Sequence, residues 1–159
     1  MTSLPSLGPR GEGWLILQLA LLLLVALAGL VSPGAWSGPL VSITSLLGLG
    51  LMLGGAMLLG RGLMDLGRNL TPLPRPRDDA QLVETGVYSL VRHPIYGGLL
   101  LTAVGWALVA ASLLTLLLAV GLGLFFDLKA RREEAWLGER YRGYAAYIAR
   151  TRRLLPWLY

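Results

Sequence analysis

The hydrophobic and polar positions divide the chain into long apolar blocks separated by short or charged segments. Residues 14–31 carry no charged side chain over 18 positions, and residues 40–60 form a second uncharged block. Eighteen helical residues span about 27 Å, close to the roughly 30 Å of a bilayer hydrocarbon core. A cleaved signal peptide is the alternative for the first block, which is longer than a usual h-region. The two blocks therefore predict two transmembrane helices.

A third apolar block covers residues 95–126, and its 32 residues are too many for one span and barely enough for two. We predict a tight helical hairpin with its turn near residues 110–112. The second arm should continue past the membrane as a polar helix to about Arg140. Because Arg61 and Lys129 follow the ends of apolar blocks, the positive-inside rule places both termini in the cytoplasm.

The predicted fold class is thus an all-α integral membrane protein with about four transmembrane helices and cytoplasmic C-terminal helices. A bacterial inner membrane is the expected location. Residues 61–92 contain closely spaced prolines, which exclude a spanning helix and predict a partly extended cytoplasmic connector. The expected division is two helices within residues 1–60, the connector, and a core formed by residues 93–159.

The second apolar block is rich in glycine. Gly50 and Gly54 form a small-xxx-small step, a spacing that lets another helix approach closely. The approaching helix could belong to the same chain or to a second copy. A homo-oligomer assembled through residues 40–60 is therefore one expectation.

Composition supports the membrane prediction and excludes several kinds of chemistry. Only 14% of the residues are charged, 55% are hydrophobic and mean hydropathy is +0.63, which excludes an ordinary soluble domain. The absence of cysteine excludes disulfides and thiolate nucleophiles, and His93 as the single histidine excludes an imidazole metal cluster. The net charge of +5 is concentrated beside the apolar blocks, where it predicts orientation and headgroup contact rather than nucleic-acid binding.

Most of the unusual residues lie between positions 86 and 98. Pro94 suits the first turn of a helix, which places His93 near the N-cap of the third span. A helix start attracts an anion, and Arg92 adds a full positive charge beside it. The following glycine pair lets a flat ligand or another helix lie against the backbone. The alternative is structural: His93 caps its helix, Arg92 meets a lipid headgroup and the glycines pack.

A second group of charged residues follows the third apolar block. Asp127 with Arg131, and Lys129 with Glu133, are spaced i to i+4, which is typical of ion pairs on a solvated helix face. Glu133 and Glu134 point about 100° apart on a helix, so at least one can turn inward. An inward carboxylate at the mouth of the bundle could attract a sulfonium or amine, or accept hydrogen bonds from ribose hydroxyls.

Beyond this group, apolar and aromatic residues recur at helical spacing, a pattern more typical of packing than of cofactor contact. These are Leu137, Tyr141, Tyr144 and Ile148. The closing arginines and aromatic residues predict an anchor at the membrane interface. This anchor consists of Arg150, Arg152, Arg153, Trp157 and Tyr159.

Together, these motifs resemble the isoprenylcysteine carboxyl methyltransferase family and the related membrane phospholipid methyltransferases. The resemblance covers residues 81–159 and rests on an ordered set of motifs. They are Thr85-Gly86-Val87-Tyr88, Val91-Arg92-His93-Pro94-Ile95-Tyr96-Gly97, a short hairpin, Arg132-Glu133-Glu134, Leu137, Tyr144, Tyr147 and Arg153-Leu154-Leu155-Pro156-Trp157. Arg140-Tyr141 departs from the Phe-Gly common in the family, which affects substrate choice more than cofactor binding.

The resemblance implies methyl transfer from S-adenosylmethionine to a lipophilic acceptor at the cytoplasmic face. The implied cofactor-binding residues are Gly86, Tyr88, Arg92, His93, Pro94, Tyr96, Gly97, Glu133 and Glu134. Arg92 and the helix start would hold the methionyl carboxylate, and one of the two glutamates would bind the cationic side. Arg132 and Glu133 are the catalytic candidates, with Arg131 as the alternative arginine for orienting an anionic acceptor.

Two other functions fit the sequence less well. An NADPH-dependent membrane reductase is one, because sterol reductases are similar to this family in their C-terminal bundle. A non-enzymatic membrane scaffold or transport subunit is the other, although the spans lack the ionisable residues expected on a permeation route. The methyl acceptor could be a prenylated thiol-acid, a phospholipid amine, another isoprenoid or a small lipophilic thiol.

Overall fold

The computed structural model describes residues 7–32, 34–73, 75, 79–156 and 158–159. Pro74 and Pro76 of the predicted connector, and Trp157 of the predicted anchor, lie outside the described residues. The described chain contains helices and no named strand, which confirms the all-α prediction. The α-helices are α1 (Glu12–Val31), α2 (Pro39–Leu66), α3 (Pro94–Val109), α4 (Leu113–Arg140) and α5 (Tyr144–Arg150), with short 3₁₀ turns at Gly67–Asn69 and Gly86–Ser89.

Within the described residues, α1, α2 and α4 are long and apolar enough to cross a membrane. Their outer faces expose large aliphatic side chains, including Leu30 (70%), Leu46 (74%) and Leu124 (66%). Such faces are stable in lipid and would be costly in water, so the chain is an integral membrane protein. The remaining predicted span corresponds to α3, whose 16 apolar residues fall just below the usual length for a crossing.

The predicted hairpin is confirmed at its turn and at its far end. Helix α3 ends at Val109 and α4 begins at Leu113, so the turn occupies the predicted residues. Ala111 adopts a left-handed conformation with φ of 49°, and the Ser112 hydroxyl caps α4 by accepting a hydrogen bond from the Thr115 N–H. Helix α4 then continues to Arg140, as the sequence predicted.

Helix α2 is longer than the sequence indicated. It was expected to end at residue 60, yet it continues to Leu66, so Arg61 and Asp65 lie on the helix rather than in the connector. No residue before Gly67 breaks the helix, and Gly67 ends it with φ of 51°. The connector is correspondingly shorter than predicted.

Glycines hold α2 against α3, but they are not the predicted pair. Gly55 of α2 faces Gly98 of α3, and a Cβ built on either residue would lie 2.6 Å from the other's carbonyl oxygen. Gly48 faces Gly105 in the same way, one heptad along. A Cβ built on Gly54, or on Gly50, its predicted partner in the small-xxx-small step, would meet nothing within 4 Å. The expected close approach therefore occurs on a different face of α2.

The remaining contacts place α1 and the C-terminal segment around the hairpin. The rings of Trp14 on α1 and Phe125 on α4 are 5.7 Å apart. Gly29 leaves room on α1 for the indole of Trp106, whose Nε1–H donates to the Ala26 carbonyl over 3.3 Å. The buried core combines residues of α1, α3, α4 and the C-terminal segment: Val25, Ala103, Ala119, Leu122, Phe126 and Leu154.

The glycine contacts predict a sharp contrast between two adjacent positions. Gly55→Ala should lower the thermal unfolding midpoint in detergent, because the new Cβ would meet backbone of α3 and overpacking costs about 1–3 kcal/mol. Gly54→Ala is the matched control and should leave the midpoint unchanged or slightly raised. Equal effects of the two substitutions would show that α2 and α3 do not meet at Gly55.

Candidate functional site

The segment before α3 pairs with the C-terminal segment through its backbone. The Arg92 N–H donates to the Arg152 carbonyl and the His93 N–H donates to the Arg153 carbonyl, both over 2.9 Å. His93 is the N-cap of α3, and Pro94 lies in the first turn, as predicted. The His93 side chain does not cap the helix, so the structural alternative for this residue is wrong. This pairing fixes where the side chains of both segments point.

The carboxylate of Glu134 connects both of these segments to α4. Glu134 Oε1 accepts from Arg92 Nε over 2.8 Å and lies 3.2 Å from His93 Nε2. Arg153 donates to both oxygens of Glu134, over 3.2 Å and 3.1 Å. The side chain of Glu134 is only 9% exposed. A carboxylate this buried is stable because it is paired on several sides.

Arg92 is committed to the protein rather than to a lipid headgroup. Its Nη1 donates to the Thr151 carbonyl over 2.6 Å, to the Thr151 hydroxyl over 3.1 Å and to the Ile148 carbonyl over 3.2 Å. With Glu134, these acceptors use the Nε and Nη1 donors of the guanidinium. Arg92 thus joins the start of α3 to the end of α5.

Glu133, one position earlier on α4, turns to a different side. The Tyr96 hydroxyl donates to its Oε2 over 2.9 Å, and His93 Nδ1 lies 3.6 Å from the same oxygen. The rings of His93 and Tyr96 are stacked 5.3 Å apart, and Tyr96 is stacked on Phe126 at 5.0 Å. The two ring nitrogens of His93 therefore face the two glutamates separately.

Lys129 is not on a solvated helix face, so that expectation is wrong. Its side chain is fully buried, and its ammonium donates to Gln18 of α1 and to the Pro72 carbonyl of the connector. It lies 5.2 Å from the centre of the Tyr96 ring. The predicted Asp127–Arg131 pair is confirmed at 2.7 Å.

A cavity of about 410 Å³ lies between the start of α3, the end of α4, the end of α2 and the connector. Arg92, His93 and Glu133 make one part of its wall polar, whereas Leu63 and Leu66 of α2 make another part apolar. Its other lining residues are Gln18, Asn69, Leu70, Thr71, Pro72, Ala80, Gln81, Leu82, Val83, Tyr88, Ile95, Tyr96, Leu137, Tyr141, Tyr144 and Tyr147. The volume is sufficient for a small organic ligand.

The described part of the connector is fastened over this cavity. The Ala80 carbonyl accepts from the Tyr141 hydroxyl over 2.6 Å, and the Gln81 N–H donates to the Asn69 side chain over 3.0 Å. Residues 80 and 81 of the connector are thus attached both to the end of α4 and to the turn that follows α2. The connector's part of the cavity wall consists of Asn69, Leu70, Thr71, Pro72, Ala80, Gln81, Leu82 and Val83.

Three tyrosines of the cavity wall are buried, and burial raises the pKa of Tyr88, Tyr144 and Tyr147. Two of their hydroxyls are used inside the protein. Tyr147 donates to the Tyr88 carbonyl over 2.7 Å, and Tyr88 donates to the Gly62 carbonyl over 3.3 Å. The Tyr144 hydroxyl is buried and has no hydrogen-bond partner among the described residues.

The structure separates the predicted cofactor residues into two groups. Those that line the cavity are Tyr88, Arg92, His93, Tyr96 and Glu133. The others do not line the cavity but contact residues next to it. Gly86, with φ of 60°, leaves room for the Asp65 carboxylate, and Gly97 packs against the Leu154 carbonyl. Pro94 packs beside Gly62, and Glu134 accepts a hydrogen bond from Arg92. Arg132 is stacked on the Trp136 ring at 4.1 Å, outside the cavity lining.

The predicted interfacial anchor is corrected in part. Arg153 pairs with Glu134 and with Asp127 at 2.7 Å instead of reaching headgroups. Burial lowers the pKa of Arg153, but its hydrogen bonds to Glu134 and Asp127 outweigh that effect and raise the pKa above its usual value. Arg150 pairs with Glu84 at 2.7 Å, and Tyr159 donates to Asp127 over 2.9 Å. The sequence did not predict these pairs because the partners are distant in the chain.

Several residues of the site were missed from the sequence. Gln18 lies in the middle of an apolar block, and as the one strongly polar side chain of that block it could have been noticed. Tyr141 and Tyr144 were expected to pack, yet both line the cavity. Asp65 was assigned to a loop, whereas its carboxylate accepts from the Val87 N–H over 2.7 Å and positions the turn that carries Tyr88.

Comparison with known proteins places this geometry in a family. The sequence profile described as Phospholipid methyltransferase matches residues 43–143, well over half of the chain. The chain belongs to the phospholipid methyltransferase family. The match begins in α2 and includes both the start of α3 and the glutamates of α4. It confirms the resemblance inferred from the motifs.

Individual relatives agree with this membership. The chain is 30% identical over 118 residues to proteins of Oryza sativa subsp. indica and subsp. japonica named "Probable protein-S-isoprenylcysteine O-methyltransferase", covering 72% of this chain and 62% of theirs. It is 34% identical over 127 residues to "Cobalt-zinc-cadmium resistance protein CzcN" of Cupriavidus metallidurans, covering 79% of this chain and 53% of that protein. The chain therefore spans between half and two thirds of the length of these relatives. In the part of the chain described here, no group of three His, Cys, Asp or Glu residues could hold a metal ion.

The pairing of Glu134 predicts a large loss of stability when its charge is removed. Glu134→Gln should lower the free energy of unfolding by about 3 kcal/mol, because the buried Arg92 would lose its carboxylate partner and Arg153 would lose one of its two. The thermal unfolding midpoint in detergent measures this loss. Glu139→Gln, at an exposed position of the same helix, is the control and should behave like the wild type. A Glu134→Gln protein as stable as the control would contradict the role assigned to Glu134.

Proposed function

We propose that this chain transfers a methyl group from S-adenosylmethionine to a lipophilic acceptor, at the cytoplasmic face of the membrane. The observation that carries the proposal is the cavity, in which the start of α3 and the end of α4 supply opposite charges to one shared space. Membership of the phospholipid methyltransferase family and the names of the rice relatives support the same reaction. The arginine-rich ends of the helices support the cytoplasmic orientation of both termini.

The cavity wall fits the cofactor by its chemistry. S-adenosylmethionine combines a cationic sulfonium, a zwitterionic amino acid and a flat nucleoside. Arg92 offers positive charge, Glu133 offers negative charge, and the stacked rings of His93 and Tyr96 offer a flat surface. The hydroxyl of Tyr144, which has no hydrogen-bond partner within the described part of the chain, adds a further donor. Each part of the cofactor thus has a suitable partner among the lining residues.

When bound, the cofactor supplies an electrophilic methyl group whose leaving group departs as a neutral thioether. The protein therefore has to align the reactants and exclude water, and a covalent nucleophile is unnecessary. Tyr96 holds the Glu133 carboxylate toward the cavity, where it attracts a cation or an amine. The connector, held by Tyr141 and by Lys129, borders the cavity and would limit the access of water to the reactants.

The acceptor reaches the site from the membrane in this proposal. Leu63 and Leu66 on α2 and Gln18 on α1 line the cavity, so both N-terminal helices contribute to it beside the predicted core of residues 93–159. The apolar wall suits an isoprenyl or acyl chain, with the reacting group at the polar wall. Arg132 lies outside the cavity lining, but its Nε has no partner among the described residues, so it stays the proposed residue for orienting an anionic acceptor such as an isoprenylcysteine carboxylate.

Ligand binding tests the reaction class directly. The detergent-purified protein should bind S-adenosylhomocysteine in a calorimetric titration and show no heat with NADPH. Binding of NADPH alone would instead indicate a reductase, and binding of neither ligand would contradict an enzymatic function at this cavity.

Glu133 should contribute to that binding through its charge. Glu133→Gln keeps the shape and the contact with Tyr96 but removes the negative charge, so the Kd for S-adenosylhomocysteine should rise about tenfold or more. Glu139→Gln is the control and should bind like the wild type. A normal Kd for Glu133→Gln would remove Glu133 from the cofactor site.

A further inference from the structure

The three buried tyrosines of the cavity wall, Tyr88, Tyr144 and Tyr147, differ in what their hydroxyls contact. Tyr88 and Tyr147 donate to backbone carbonyls, of Gly62 and Tyr88 respectively, and so stabilise the wall itself. Tyr144 is equally enclosed, with 2% of its surface exposed, yet its hydroxyl meets no partner among the described residues. A buried hydroxyl without a partner is destabilising, so a bound molecule that supplies the partner removes that cost and binds more tightly.

The charges around this hydroxyl indicate which part of a ligand it meets. Tyr144 lies within electrostatic range of Glu133, Glu134 and Arg92. Burial, with the two carboxylates adding to it, raises the pKa of Tyr144, so the phenol stays protonated and acts as a donor. A zwitterionic amino acid is the cofactor part that needs both signs of charge in one place, because its ammonium faces carboxylates and its carboxylate faces donors.

Arg92 alone does not complete this site. Its Nε and Nη1 already donate to Glu134, Ile148 and Thr151. Within the described part of the chain its Nη2 is left for an anion, and a carboxylate has two oxygens that accept several hydrogen bonds. Tyr144, which lines the same cavity, can therefore supply a further donor.

We infer that the hydroxyl of Tyr144 donates a hydrogen bond to the carboxylate of the cofactor's amino-acid part. Tyr144 is then a cofactor-positioning residue, whereas Tyr147 is a structural residue of the same wall. This inference rests on the proposed function, since it assumes that the cavity binds S-adenosylmethionine.

Tyr144→Phe and Tyr147→Phe form a matched pair, because each removes one hydroxyl and keeps the ring. Calorimetric titration with S-adenosylhomocysteine should show a Kd about three- to tenfold higher for Tyr144→Phe than for the wild type. The unfolding midpoint of ligand-free Tyr144→Phe should be unchanged or raised, since no internal hydrogen bond is lost. Tyr147→Phe should lower that midpoint, because the Tyr88 carbonyl loses its donor.

A second ligand locates the contact on the cofactor. 5′-Methylthioadenosine lacks the amino-acid part, so the wild type and Tyr144→Phe should bind it with the same Kd. An unchanged Kd of Tyr144→Phe for S-adenosylhomocysteine would overturn the inference, and so would an equal loss of affinity for both ligands. Failure of the wild type to bind S-adenosylhomocysteine would instead defeat the proposed function itself.

Discussion

The buried carboxylate of Glu134 is the contact on which the site depends. It joins Arg92 before α3, α4 itself and Arg153 of the C-terminal segment, which are far apart in the chain. Desolvating these charges is costly, and only their close mutual pairing offsets the cost. Because Glu133 and Glu134 are adjacent on α4 and point about 100° apart around the helix, fixing Glu134 also fixes the direction of Glu133. Glu134, which does not line the cavity, therefore determines where Glu133 presents its negative charge on the cavity wall.

Close packing of α2 and α3 is the second constraint. In a membrane, no hydrophobic force draws apolar helices together, so their association depends on how closely they fit. Gly55 and Gly98 allow backbone contact, which holds the end of α2 beside the start of α3. That contact places Leu63 and Leu66 on the cavity wall and lets Asp65 position the turn carrying Tyr88. The N-terminal helices thus form part of the site rather than a separate anchor.

The sequence allowed much of the fold to be predicted, for a physical reason. A bilayer requires long uncharged helices, so the apolar blocks predicted α1, α2 and the hairpin, including the turn before Leu113 and the end of α4 at Arg140. The end of α2 was missed because a helix leaving the membrane keeps its hydrogen bonds while its polarity changes. The wrong glycine pair was chosen because local spacing does not show which helix face meets a neighbour.

The site was less predictable because its contacts join distant segments. Adjacent glutamates indicated that at least one would turn inward, and Glu133 lines the cavity while Glu134 serves the structure. Local spacing suggested a solvated pair for Lys129, yet its partners come from α1 and the connector. Arg153 looked like a headgroup anchor for the same reason. Partner choice over such distances is set by packing, which a single sequence does not display.

The central claim is that the start of α3 and the end of α4 enclose one small molecule together with the connector. Hydrogen–deuterium exchange of the purified protein, with and without saturating S-adenosylhomocysteine, tests it most directly. With the ligand bound, amide exchange should slow both in residues 79–93 and in residues 137–147. Protection of only one of these segments, or of neither while the ligand is bound, would contradict a shared site.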